Sequence, residues 1–115
     1  MRKLASVALL LFLGATVSFA ANRTFVGDIM DSPCAAMGGH AAGYKMTGTN
    51  TPKACTLACV KDGGKFVLYN PDTKTTYKLD NQTEPRAFAG EIVRVTGSYN
   101  PSTKTIHVVK IEAFR

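Results

Sequence analysis

Apolar and polar residues alternate along most of the chain with the period of two that marks β-strands. Residues 24–30 put Phe25, Gly27 and Ile29 on one face and Asp28 on the other, which predicts a first strand. Residues 65–69 (KFVLY) are nearly all apolar and lie between glycines and Asn70-Pro71-Asp72, which predicts a buried strand. Residues 75–79 alternate and return as its hairpin partner. Residues 80–90 form a connection with one helical turn near Arg86-Ala87-Phe88. Residues 91–99 give a fourth strand, with Val93 and Val95 inward and Arg94 and Thr96 outward. After a turn at residues 100–103, a fifth strand covers 105–114. Its apolar positions change parity, from Ile106 and Val108 to Val109, Ile111 and Ala113. A change of parity in a period-two pattern predicts a bulge or barrel corner.

Between the first two strands the pattern breaks. Residues 31–50 are rich in Gly, Ala, Ser and Thr and predict a long irregular insert. Thr51-Pro52 then opens a short helix over 53–61, with Thr51 as N-cap, Pro52 at the first helical position and Gly63 or Gly64 beyond its end. The expected fold is mainly β: a small five-stranded OB-like Greek-key barrel, with one short α-helix in an insert spanning 31–64. The chain shows no internal repeat and no low-complexity tail.

The N-terminus changes the picture of the compartment. Arg2 and Lys3 precede an apolar stretch over 5–17, and Ser18-Phe19-Ala20 supplies small residues before a cleavage point. Residues 1–20 therefore read as a secretory signal peptide, and 21–115 as one domain, secreted or periplasmic. The stretch is shorter than the ~20 residues that span a bilayer, so no membrane anchor is expected after cleavage. Of 115 residues, 14 are Lys or Arg and 8 are Asp or Glu. Dropping Arg2 and Lys3 leaves 12 basic against 8 acidic residues, a net charge of +4. That mild excess is spread along the chain without a basic run, and with export it argues against a nucleic-acid partner. The ligand, any protein partner and the oligomeric state are not encoded in these patterns.

The insert carries the candidate chemistry. Cys34, His40, Cys55 and Cys59 fall within 26 residues as C-x5-H-x14-C-x3-C. Cys55 and Cys59 are four apart on the predicted helix, so both sulfurs share one face and can point at one cation. A glycine-rich insert can bring Cys34 and His40 over that face, completing a tetrahedral Cys3His set of the structural zinc type. Met37 and Met46 add possible thioether ligands, and soft sulfur also suits Cu(I). An exported protein equally favours one disulfide, Cys34 with Cys55 or Cys59, which would staple the insert to the helix. Three unpaired thiols are the remaining outcome. A thiol enzyme or redox sensor would use Cys34 with His40, the imidazole oriented by Asp28 or Asp31. No oxyanion hole or substrate cleft is visible, and the absence of C-x-x-C disfavours a thioredoxin-like site. His107 falls on the last strand at an outward position and reads as a surface histidine.

At Asp31-Ser32-Pro33-Cys34, Gly39-His40, Cys55-Thr56-Leu57-Ala58-Cys59-Val60, Phe66-Val67-Leu68 and Ala89-Gly90 with Val93 to Gly97, the chain resembles small exported bacterial proteins of the DUF5818 type. The resemblance implies export, a compact β-rich domain and a Cys/His segment before a small barrel, and it transfers no activity. The expected function is a small secreted binding or structural module whose insert is fastened by Cys34, His40, Cys55 and Cys59, either around Zn or Cu or by one disulfide. The competing expectation is an oligosaccharide- or peptide-binding OB-like domain with a disulfide-stapled insert, using Tyr44, Tyr77 or Tyr99 beside Lys78 or Arg94.

Overall fold

A computed structural model describes residues 21–114. The export signal expected at residues 1–20 lies outside the described residues. The chain runs β1 (Arg23–Asp31), α1 (Ser32–Ala36), α2 (Ala41–Thr47), α3 (Pro52–Lys61), β2 (Phe66–Asn70), β3 (Thr75–Leu79), a 3-10 turn (Glu84–Phe88), β4 (Ile92–Asn100) and β5 (Thr105–Ala113). The protein is thus mainly β, with five strands and a few short helices. The insert is not irregular as expected. It contains two further helices, because Asp31 caps α1 and Gly48 ends α2 in the left-handed region at φ 71°.

Every strand pairs with two others, and the pairings close in the cyclic order β1-β2-β3-β5-β4. β1 achieves this by changing partner along its length. It pairs with β4 over Arg23 to Asp28 and with β2 over Asp28 to Asp31. β3 and β5 pair in parallel through Lys78↔Thr105 and Leu79↔Ile106. The parity change in β5 is a bulge: Thr96 faces Lys110 while Gly97 faces Val108, leaving Val109 over. Gly97 is required there, since a Cβ would lie 2.1 Å from the His107 carbonyl oxygen.

Two cores result. One fills the inside of the sheet with Phe25, Ile29, Phe66, Leu68, Leu79, Val93, Val95, Ile106 and Ile111, and Leu57 and Val60 of α3 pack against it. Burial of each such side chain contributes about 1.5–3 kcal/mol relative to exposure. The second core lies between the outer wall of β1 and β2 and the helices, and joins Met30, Cys34, Ala35, Cys55, Cys59, Val67 and Tyr69. This explains the continuous apolar run in β2: Phe66 and Leu68 face one core, Val67 and Tyr69 the other. Gln82 finishes the sheet beside β2. Its amide accepts from the Phe66 N–H (2.9 Å) and donates to the carbonyls of Phe66 (2.9 Å) and Leu79 (3.0 Å), acting as a short surrogate strand.

Contrary to the expectation of no internal repeat, the chain carries one short repeat. Tyr69-Asn70-Pro71-Asp72-Thr73-Lys74-Thr75 and Tyr99-Asn100-Pro101-Ser102-Thr103-Lys104-Thr105 differ at one position and form the β2–β3 and β4–β5 turns. The Asn70 side-chain oxygen accepts from the Asp72 N–H (2.9 Å), and that of Asn100 from the Ser102 N–H (3.0 Å).

Candidate metal centre

The site is built where β1 ends. Asp31 terminates the strand, and its Oδ2 accepts a hydrogen bond from the Cys34 N–H at 2.9 Å, capping α1. An N-cap side chain bonds the amide two or three residues on, so the cap itself sets Cys34 beside a carboxylate. On α3, Thr51 caps the helix by accepting from the Ala54 N–H at 3.2 Å, and Pro52 occupies the first turn. Cys55 and Cys59 then fall one turn apart on the face toward α1.

The three thiols and the Asp31 carboxylate converge. One ligand atom from each of Asp31, Cys34, Cys55 and Cys59 lies within 4.8 Å of all the others, and all four residues are buried. Cys34 Sγ and Cys55 Sγ are 3.7 Å apart. A tetrahedral zinc with Zn–S bonds of ~2.3 Å sets its sulfurs ~3.8 Å apart, so this edge is already at ligand spacing. Asp31 Oδ1 is buried with no hydrogen-bond partner, although its other oxygen caps the helix. A buried carboxylate oxygen without a donor is costly unless a cation or proton satisfies it.

α2 closes the site from above. A Cβ on Gly43 would lie 2.5 Å from Cys34 Sγ and 2.8 Å from Cys55 Sγ. Only glycine lets the helix backbone rest on the two sulfurs.

Electrostatics keep Cys34 and Cys59 protonated when no cation is bound. Burial, with the neighbouring Asp31 and Cys55, pushes the Cys34 thiol far up. Burial and the Asp31 charge push Cys59 up to about 11. Both causes act against anionic sulfur, which is the reverse of an activated nucleophile. A bound cation inverts this logic, because it stabilises every anion around it.

His40, expected beside the three sulfurs, lies outside the group, and Asp31 stands beside them instead. As the residue preceding α2, its ring stacks on Tyr44 at a centroid distance of 5.8 Å. Its Nδ1 is buried without a partner. The charge it carries when protonated acts on Asp28, whose carboxyl is nonetheless raised because burial outweighs that attraction. Met37 and Met46 are 47% and 72% exposed, away from the buried group, so the thioethers expected as soft ligands are surface residues. All three cysteines are free thiols, and neither expected disulfide is formed. Asp31 joins the group without being expected there, but its signal is in the sequence: Asp31-Ser32-Pro33-Cys34 is a capping sequence that places a carboxylate beside the cysteine. His107 is exposed as expected, but it is engaged. Its Nδ1 lies 2.5 Å from Asp80 Oδ2, while Asp80 Oδ1 accepts from the Val108 N–H at 2.9 Å.

Residues 60–114 match the model of a family described as a protein of unknown function, DUF5818. Over that stretch the chain is DUF5818-like. No curated protein and no solved structure matches the chain. The match covers β2 to β5 and the last turn of α3, and it stops short of Asp31, Cys34, Cys55 and Cys59. Strands β2 to β5 are therefore the DUF5818-like part, and β1 and the cluster of three cysteines and Asp31 lie in the segment before it. Among the described residues no helix is long and apolar enough to cross a membrane.

Proposed function

We propose that this chain is an exported binding or structural module whose helical insert is locked to an OB-like barrel by one zinc ion. The ligands are the thiolates of Cys34, Cys55 and Cys59 and the carboxylate of Asp31. The observation that carries this reading is the buried convergence of three sulfurs and a carboxylate with one unsatisfied oxygen. Zinc suits the set better than Cu(I). It is borderline in softness and accepts mixed sulfur and oxygen donors in a tetrahedron, whereas Cu(I) favours an all-soft shell. The four protein donors leave no open position, so the site is of the structural type.

Several features support the OB-like reading. β1, β2 and β3 form a meander, β4 and β5 a hairpin, and the parallel β3–β5 contact joins the two, the arrangement of a five-stranded Greek-key barrel. In such a domain of about 95 residues, a metal clamp adds folding energy that a small core supplies poorly. Export follows from the composition of residues 1–20 and predicts a mature chain starting at Ala21 in the periplasm.

The test is metal analysis of protein purified from the periplasm, paired with intact mass and thiol counting. One zinc per chain, with three thiols titratable after chelation, is the expected result. A mass two units low with no metal would replace the ion by a disulfide, Cys34 with Cys55 or Cys59, and overturn the proposal. N-terminal sequencing of the same sample checks cleavage after Ala20.

A further inference from the structure

The duplicated turn offers a second site, at the end of the sheet formed by the β2–β3 and β4–β5 turns. In both copies the lysine sits in the left-handed region, Lys74 at φ 53° and Lys104 at φ 53°. That conformation is unfavourable for a residue with a long side chain and ordinarily falls to glycine or asparagine. Backbone held in sparsely populated regions persists where the surrounding structure fixes it, and it clusters at functional sites. Here the same strained residue recurs in two turns of almost identical sequence.

The topology brings the two lysines to one place. The parallel β3–β5 pairing sets Thr105 beside Lys78, and the Lys78 N–H donates to the Lys104 carbonyl at 2.8 Å. Lys104 is thus level with the middle of β3, and Lys74 lies at the strand's start, roughly 10 Å away at ~3.3 Å per residue. Lys74, Lys78 and Lys104 line one cleft of about 430 Å³, together with Thr75, Thr76 and Tyr99. No carboxylate among the described residues lines it. Arg23 adds a further cation nearby, its guanidinium 5.9 Å from the Tyr99 ring.

We infer that this cleft binds a multiply charged oxyanion, a ligand carrying a di- or triphosphate. Three lysines lining one cleft concentrate positive charge there, and a single negative charge offsets only part of it. A polyphosphate group spans the distance between the two turns and pairs with all three lysines, while the Thr76 hydroxyl donates to its oxygens. Lysine serves as a point charge here, without the fixed fork that would demand one geometry. The site is independent of the metal centre, since none of its residues belongs to that cluster.

Inorganic triphosphate titrated into the full mature chain, followed by amide chemical shifts, tests the inference. The expected result is saturable binding with shifts confined to residues 74–78 and 99–105, weakening as salt is raised. Lys74→Gln/Lys104→Gln lowers affinity at least about tenfold relative to Lys45→Gln/Lys61→Gln, which removes the same charge from exposed positions on α2 and α3. Lys74→Gly/Lys104→Gly relieves the backbone, so it raises the melting temperature while losing the same binding. Retention on vesicles that carry a multiply phosphorylated headgroup but not on vesicles of singly charged phospholipid, lost in the double variants, would place the phosphate on a lipid headgroup; no retention would place it on a soluble ligand. Absence of triphosphate binding, or equal binding by the two Gln pairs, overturns the inference.

Discussion

Asp31 performs two tasks with its two oxygens, and a pair of substitutions separates them. Oδ2 caps α1 through the Cys34 N–H, and Oδ1 is free to take a cation. Asp31→Asn keeps a side-chain oxygen for the cap and removes the anionic donor. Asp31→Ala removes both. Loss of an N-cap costs about 1 kcal/mol. Removing even an indirect partner of a metal ligand weakens binding 10- to 100-fold, so losing a direct ligand should cost at least about 100-fold. At saturating zinc that is about 2.7 kcal/mol of lost stabilisation. Urea unfolding in chelator and in excess zinc then gives a four-way pattern. Against wild type, Asp31→Asn is nearly unchanged in chelator (within about 1 kcal/mol) and falls by about 2.7 kcal/mol in zinc. Asp31→Ala falls by about 1 kcal/mol in chelator and by about 3.7 kcal/mol in zinc. If Asp31→Asn gains as much from zinc as wild type does, the carboxylate is not a ligand and the assignment fails. If both variants are equally stable in chelator, the capping role fails.

Three further outcomes follow from the same geometry. Gly43→Ala drives a methyl group into two sulfurs; overpacking of about 1–3 kcal/mol exceeds the ~1 kcal/mol gained in helix propensity, so unfolding experiments should show net destabilisation and calorimetry weaker zinc binding. The metal-free protein should lose stability as pH rises above ~8.5, where thiols of the unfolded chain ionise while Cys59 stays protonated to about 11, at about 1 kcal/mol per pH unit for each such thiol. The folded state binds more protons in that window, which fixes the sign; a flat stability profile from pH 8 to 10 in chelator would show that Cys34 and Cys59 are not held neutral. Gln82→Ala removes three hydrogen bonds to the backbone of β2 and β3, and denaturant unfolding should show a loss of about 2–3 kcal/mol, with a loss under about 0.5 kcal/mol excluding the surrogate-strand role.

The strands, the α3 caps and the bulge in β5 could be read from the chain because each depends on near neighbours. Period two reports which face a residue shows, and the change of parity after Val108 survives as an unpaired Val109. Thr51-Pro52 starts a helix wherever it stands, and helical pitch alone aligns Cys55 with Cys59. The sequence also restricted the site to the segment between the first two strands. It did not decide which groups meet there. His40 and Asp31 were both within reach of the sulfurs, and only packing selected between them. Asp31 is pinned at the end of a buried strand by the helix it caps, whereas His40 stacks on Tyr44 beside α2. The two lysine-bearing turns were plain in the sequence as letters, but their sharing of one cleft depends on the parallel β3–β5 contact between segments 27 residues apart. Local interactions fix what each segment becomes; contacts across long separations fix what it faces, because they form only when the whole sheet has closed.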